Sequence, residues 1–272
     1  MPAPTIDLIA LDLDGTLLAP DETISTANRA AIARALAAGI RVVLVTGRGV
    51  DTPVAISREL ALNLPVICCH GALTKDFGAN RTLVHIPVPL EYAKQMIEFA
   101  EARNLAIAIY AEEYFWRITG TKLYMQDMVG PAWREVPSLG ELLRAGAPTF
   151  IRFLGAESVE AMQAEFGDLP LSFRYETWGD FVECAVLNRD ASKKNALARL
   201  CADFQIPPER VLAIGDSRND VPMLAWAGIG VAMGNALPEV QQAVRYVTAS
   251  NERDGVAQAI ERFCFATEKK TA

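Results

Sequence analysis

Histidine is scarce in this 272-residue chain, which holds only His70 and His85. A zinc centre built on imidazole is therefore not expected. Cysteine is limited to Cys68, Cys69, Cys184, Cys201 and Cys264, an odd number without C-x-x-C spacing. That argues against a disulfide framework and fits reduced thiols in a cytoplasmic protein. Every apolar run falls far short of the roughly 20 residues of a membrane span. No basic stretch precedes an apolar segment near the start, so no signal peptide is expected. Positive charge is also in deficit, with 26 Lys and Arg against 33 Asp and Glu, a net charge of −7. Such a chain is a poor match for nucleic acid or an anionic membrane as its main partner. Repeats and low-complexity stretches are missing too, which sets aside a solenoid.

What is present is apolar material: 51% of the residues are hydrophobic. The length suits one large domain or two modest ones. The stretch Ile6 to Leu18, IDLIALDLDGTLL, begins as a short apolar run and ends on Asp12 and Asp14, then Gly15 and Thr16. It reads as a buried strand feeding a loop. Acids at i and i+2 share a face of a strand. At a strand's C-terminal end they can meet in the crevice where open α/β sheets bind ligands. Two anions so placed need a cation, and a hard ion such as Mg²⁺ suits carboxylate oxygens.

The chain then alternates. Thr26 to Ala38 reads as a helix closed by Gly39, Arg41 to Val45 as a strand ending in Thr46-Gly47-Arg48, Thr52 to Leu62 as a helix, and Pro65 to Cys69 as a third strand. This order implies parallel βαβ units. After His70 the pattern changes. A helix over Leu90 to Arg103 is followed by strands at Leu105 to Tyr110, Tyr114 to Ile118, Thr149 to Leu154, Leu171 to Glu176 and Phe181 to Leu187. Strands that follow one another directly suit a smaller antiparallel α+β domain inserted into the first. From Ala191 the alternation resumes: a helix from Ser192 to Phe204, a strand from Val211 to Ile214 ending in Gly215-Asp216, a helix from Asn219 to Ala227, a strand from Gly228 to Met233, and a short helix from Pro238 to Ala243. Tyr246-Val247 reads as an edge strand, Asp254 to Phe263 as a closing helix, and Glu268 to Ala272 as a frayed tail. The expected boundaries are residues 1–85 and 188–272 for the core, and 86–187 for the insert.

DLDGTLL at Asp12 to Leu18, TGR at Thr46 to Arg48, Lys193 in DASKKNALARL, and GDSRNDVPML at Gly215 to Leu224 stand in order. Together they resemble the haloacid dehalogenase superfamily, and more closely its Cof-type, sugar-phosphatase-like branch with a C2 cap. The resemblance covers nearly the whole chain. It implies an α/β fold, a Rossmann-like parallel-sheet core with an inserted α+β cap. It also implies a Mg²⁺-dependent phosphatase of a small phosphate ester, such as a sugar phosphate, pyridoxal phosphate or flavin mononucleotide.

Carried onto this sequence, the resemblance makes Asp12 the nucleophile that becomes an aspartyl phosphate. Asp14 becomes general acid and then general base. Asp12, the Asp14 main-chain carbonyl and Asp216 would hold Mg²⁺. Thr46, Gly47 and Lys193 would bind phosphate, and Asn219 and Asp220 would support phosphate and metal. Phosphoryl transfer to a carboxylate needs positive charge around the transferred group, which Mg²⁺ and Lys193 would supply. A phosphosugar mutase and a catalytically silent phospho-ligand binder are the alternatives.

Some residues keep two readings. A lone DxD also marks metal sites of glycosyltransferases, Thr46 alone suits a helix N-cap, and Lys193 adjoins Lys194. Arg48 is either a structural ion pair or a ligand contact. His70 stands where the family usually has Asn, and is either a phosphate or substrate contact or a half-buried hydrogen-bonding histidine. Cys68 and Cys69 read as core filling. Tyr110, Trp116, Tyr124 and Trp178 read as cap core before substrate platform. Arg117, Arg152 and Arg174 are candidates for a second anionic group. Oligomeric state is not readable from the sequence.

Overall fold

The computed structural model describes residues 6–111, 113–118 and 133–265. Tyr124 and the Glu268–Ala272 tail lie outside them, as do the side chains of Arg117 and Trp178. The chain divides into two compact units, one of Met1–Arg48, Thr52–Leu83 and Ser192–Ala272, the other of Gly49–Asp51 and Val84–Ala191.

In the first unit, β1 (Leu8–Leu11) is buried at every residue. Ser25 caps α1 (Thr26–Ala37) by accepting from the Asn28 N–H at 3.1 Å. β2 (Arg41–Leu44), α2 (Asp51–Glu59) and β3 (Val66–Cys68) follow. β3 meets the main sheet only through a parallel bridge between Val45 and Ile67, and pairs antiparallel with β4 (Leu73–Asp76) in a separate sheet completed by β5 (Arg81–His85). The third strand therefore meets the main sheet in parallel at one bridge and forms its ladder in an antiparallel hairpin.

The second unit contains α3 (Leu90–Ala102), β6 (Ile107–Ala111), β7 (Tyr114–Ile118), β8 (Trp133–Val136), β9 (Phe150–Leu154), α4 (Ala156–Phe166), β10 (Leu171–Trp178) and β11 (Phe181–Asn188). Its six-stranded sheet runs β10-β11-β9-β6-β7-β8. The pairs are antiparallel except β7 with β8, which is parallel, so the sheet is mixed where the sequence suggested antiparallel strands alone. Ile107, Ile109, Ile151, Phe153, Cys184 and Val186 alternate along their strands and pack with Met96, Ile97, Val159 and Met162 of α3 and α4. Trp116 joins this core, and Tyr110 stacks on Phe150 at 5.1 Å between ring centroids. Trp116 thus fills this core as expected, while Tyr110 and Phe150 are buried on the alternate strand positions.

The chain returns to the first unit through α5 (Lys193–Asp203), capped by Ser192, then β12 (Val211–Gly215), α6 (Val221–Trp226), β13 (Ile229–Ala232), α7 (Pro238–Gln242), β14 (Tyr246–Val247) and α8 (Gly255–Ile260). The main sheet is wholly parallel, in the order β14-β13-β12-β1-β2. Strands covered on both faces carry unbroken apolar runs, which is why LIAL, RVVL and VLAIG are so short and so hydrophobic. β1 lies between β12 and β2, with Leu11 opposite both Ile214 and Leu44. Strand order reverses there, so the C-terminal ends of three strands surround one switch point. The expected closing helix is present and widens at its end, α8 passing directly into a π-helix over Glu261–Phe265. Among the described residues no helix is long and apolar enough to cross a membrane. The cysteines are thiols, four buried and Cys264 half-buried.

Candidate active site

Register places the residues that follow β1 and β12 side by side. Asp12 lies just past β1 and is 3% exposed. Its Oδ1 accepts from the Lys193 ammonium at 2.6 Å, and the same ammonium donates to Asp220 Oδ1 at 2.7 Å. Lys193 is the first residue of α5 and is itself 2% exposed, so its charge is spent on these partners. Asp12, Asp216 and Asp220 each offer an oxygen within 4.8 Å of the others. Of the adjacent lysines, Lys193 is thus the one that reaches the carboxylates.

Packing three carboxylates around one lysine has an electrostatic cost. Burial, then Asp220, pushes Asp12 well above the usual carboxylate range, although Lys193 opposes them. Burial and Asp220 likewise push Asp216 up to about 6. Burial would lower Lys193, but Asp12 and Asp220 outweigh it and hold its pKa above the usual value. The cluster has one positive charge for three potential negatives, and further positive charge would relieve it.

Asp220 is spoken for. Its Oδ2 accepts from the Asp216 N–H at 3.2 Å and the Ser217 N–H at 3.0 Å, with the Ser217 Oγ 2.7 Å away, while Oδ1 takes Lys193. It shapes the loop after β12 and anchors the lysine. Asp216 accepts from the Thr16 hydroxyl at 3.1 Å, which ties the loop after β1 to the loop after β12. Gly15 sits between them at φ +71°, and a Cβ there would come within 2.2 Å of Asp216 Oδ2. Glycine is required twice over, for the backbone and for the approach.

A hard divalent cation fits this set. Asp12 and Asp216 present carboxylate oxygens near each other, the donor type that Mg²⁺ prefers. Asp220 is the poorest ligand of the three, since donors already occupy both of its oxygens.

Asp14 departs from its neighbour. Because β1 ends at Leu11, the two acids stand on a turning loop and not on a strand, and their side chains diverge. The Asp14 carboxylate is gripped by Arg48, with Nε at 2.9 and 3.0 Å and Nη2 at 2.5 Å, and the same guanidinium reaches Glu22 at 2.7 Å. Arg48 is thus an ion-pair partner of Asp14. Glu22 was not singled out from the sequence, where it resembles any surface acid.

Thr46 is fully buried just past β2, and its hydroxyl accepts from the Arg48 N–H at 3.1 Å. His70, 3% exposed, lies against Gly47, and its Nδ1 is 3.4 Å from Asn219 Nδ2. The loops after β1, β2, β3 and β12 therefore converge, bringing together Asp12, Lys193, Asp216 and Asp220 in one group and Gly47, His70 and Asn219 in another. Asn235 Nδ2 donates to the Gly15 carbonyl at 2.7 Å, a tie invisible in the sequence because the two residues are far apart in the chain.

A model of the haloacid dehalogenase-like hydrolases matches residues 9–260. The pyridoxal phosphate phosphatase YbhA of Escherichia coli is 33% identical over 270 residues, with 94% of this chain and 98% of that protein covered. The 5-amino-6-(5-phospho-D-ribitylamino)uracil phosphatase YitU of Bacillus subtilis is 29% identical, covering 94% of this chain and 97% of its own length. A haloacid dehalogenase-like hydrolase from Bacteroides thetaiotaomicron superposes with a TM-score of 0.81 at 28% identity, over 95% of this chain and 99% of the other.

Proposed function

Because the chain belongs to the haloacid dehalogenase-like hydrolases, we propose that it is a Mg²⁺-dependent phosphatase of a small phosphorylated metabolite, acting through an aspartyl phosphate. One observation carries this reading: the buried Lys193 ammonium joins Asp12 to Asp220, with Asp216 beside them at the ends of parallel strands.

In this reading an Asp12 oxygen attacks phosphorus. The bond from phosphorus to the ester oxygen breaks, and its electron pair leaves on the alkoxide, which takes a proton from Asp14. Asp14 then takes a proton from water as that water attacks phosphorus. The bond to Asp12 breaks, and orthophosphate and the free carboxylate result. Asp14 must therefore exchange its grip on Arg48 for the reacting oxygen during the cycle. Mg²⁺, held by Asp12, Asp216 and the Asp14 main-chain carbonyl, would supply charge that the developing trigonal phosphoryl group needs. Lys193 holds the attacking carboxylate in place and adds a fixed positive charge, while Thr46, Gly47 and Asn219 hold the phosphoryl oxygens.

Pyridoxal phosphate and 5-amino-6-(5-phospho-D-ribitylamino)uracil, the substrates named for the relatives, head the panel of candidate esters, followed by sugar phosphates. The test is a release assay for orthophosphate over that panel, with and without Mg²⁺. Turnover that needs Mg²⁺ and disappears in Asp12→Asn supports the reading. Isomerised product without free phosphate would make the protein a mutase, and binding without turnover would make it a silent receptor.

A further inference from the structure

His70 is a histidine whose surroundings go beyond simple packing. Its backbone is left-handed, at φ 54° and ψ 24°, and its N–H donates to the Thr46 carbonyl at 3.0 Å. The preceding Cys69 N–H donates to the Arg48 carbonyl at 2.9 Å. The turn after β3 is thus laced to both sides of Gly47. A Cβ on Gly47 would lie 2.4 Å from His70 Cε1 and 2.8 Å from each ring nitrogen, so the imidazole occupies the space that any other residue at 47 would need. On its other side, Nδ1 is 3.4 Å from Asn219 Nδ2. With the amide nitrogen turned to the ring, Nδ1 is the acceptor of this contact. Asn219 Oδ1 in turn accepts from the Ser217 hydroxyl at 2.6 Å. The imidazole is wedged between a loop from β2 and a loop from β12.

We propose that His70 is a positioning residue of the phosphate cradle: its Nδ1 orients the Asn219 amide, and its ring fixes the Thr46–Gly47 segment, so that the two segments face the same phosphoryl group. The inference rests on the phosphatase reading for the roles of Gly47 and Asn219. A ring that merely filled space would need no nitrogen toward Asn219. An asparagine at 70 puts its Oδ1 where Nδ1 stands and tolerates a left-handed backbone. A glycine there removes the side chain without backbone strain.

The test reads the dissociation constant for inorganic phosphate in the presence of Mg²⁺, by titration calorimetry, in the full chain. His70→Gly is expected to weaken phosphate about 3- to 10-fold, the factor for losing one oriented neutral hydrogen bond. His70→Asn is expected to recover most of the affinity. Gly47→Ala is expected to weaken phosphate strongly in the wild-type chain and much less in His70→Gly, because the clash it creates is with the imidazole. In turnover the His70→Gly loss falls on KM more than on kcat, since phosphate is held in both ground and transition states. Equal affinity in wild type and His70→Gly overturns the proposal, as does an equal Gly47→Ala effect in both backgrounds, or a wild-type chain that does not bind phosphate. A wild-type chain that binds phosphate with the expected His70 dependence but hydrolyses no ester upholds the positioning role and sinks the phosphatase reading. Ester turnover with an indifferent His70 does the reverse.

Discussion

Each of the two units buries charge in its sheet, and they do so in opposite ways. In the first, Lys193, Asp12, Asp216 and Asp220 come from loops and a helix start at the ends of parallel strands. In the second, Arg152 and Glu183 come from neighbouring antiparallel strands, where Arg152 lies opposite Ala185 and reaches Glu183 diagonally at 3.5 Å. The lysine of the first cluster has short bonds to two carboxylates. In the second, Glu183 Oε2 is buried with no hydrogen-bond partner among the described residues, and burial pushes that carboxyl up to about 7 despite Arg152. Strand ends let side chains from distant segments converge on one point, whereas mid-strand positions are fixed by the pleat and can offer only a neighbour across the ladder. The first arrangement concentrates charge on a reacting group, and the second carries a standing desolvation cost.

The contrast breaks most visibly at Asp12. Asp12→Asn keeps the shape but removes the nucleophile, and kcat is expected to fall roughly 10⁴- to 10⁶-fold in a single-turnover assay. A residual rate within tenfold of wild type would remove Asp12 from the chemistry. In the first step, read as release of the leaving alcohol in a single turnover, Asp14→Asn is expected to cost about 10²- to 10⁴-fold with alkyl phosphates, and much less with an aryl phosphate whose leaving group needs no proton. Equal losses on both substrates would deny Asp14 the acid role.

Stability sharpens the same comparison. Lys193→Met strands carboxylates in a buried site, so urea unfolding without Mg²⁺ is expected to show a loss of about 3–5 kcal/mol. No loss would mean that the carboxylates shed their charge without help. Glu183 gives the smallest effect, with a sign that depends on pH. The folded state keeps its proton up to about 7, while the unfolded chain releases it near 4.5. The folded state therefore binds more protons in that window, and stability falls as pH rises through it, by on the order of 3 kcal/mol. Glu183→Gln removes that fall. Calorimetric melting at pH 5 and pH 8 should show a smaller gap for the variant than for wild type, and an unchanged gap would place the pH dependence elsewhere.

Several parts of this molecule are readable from local chemistry. β1, β2 and β12 announce themselves as apolar runs ending in Asp, Thr or Gly-Asp, because a strand covered on both faces has no polar positions to blur the pattern. The serine caps of α1 and α5 and the glycine after α1 mark helix ends for equally local reasons. The second unit is less legible, and the sequence pattern does not mark α4 or β8. β8 pairs parallel to β7, a choice made by partners far along the chain and not by the strand itself. β3 looked like one more parallel strand, yet its ladder is with β4, since only an isolated bridge joins it to β2's continuation.

The sequence by itself determined the alternation of buried strands and capped helices, and the places where carboxylates, a threonine and a lysine interrupt it, because hydrophobic periodicity and capping act over a few residues. Tertiary structure alone decided that Asp14 turns to Arg48 and Glu22 while Asp12 turns to Lys193, that Asp220 is saturated by its own loop, and that His70 lies between Gly47 and Asn219. Those choices depend on which strand ends become neighbours, and the direction of a side chain past the end of a strand is set by what the fold brings beside it.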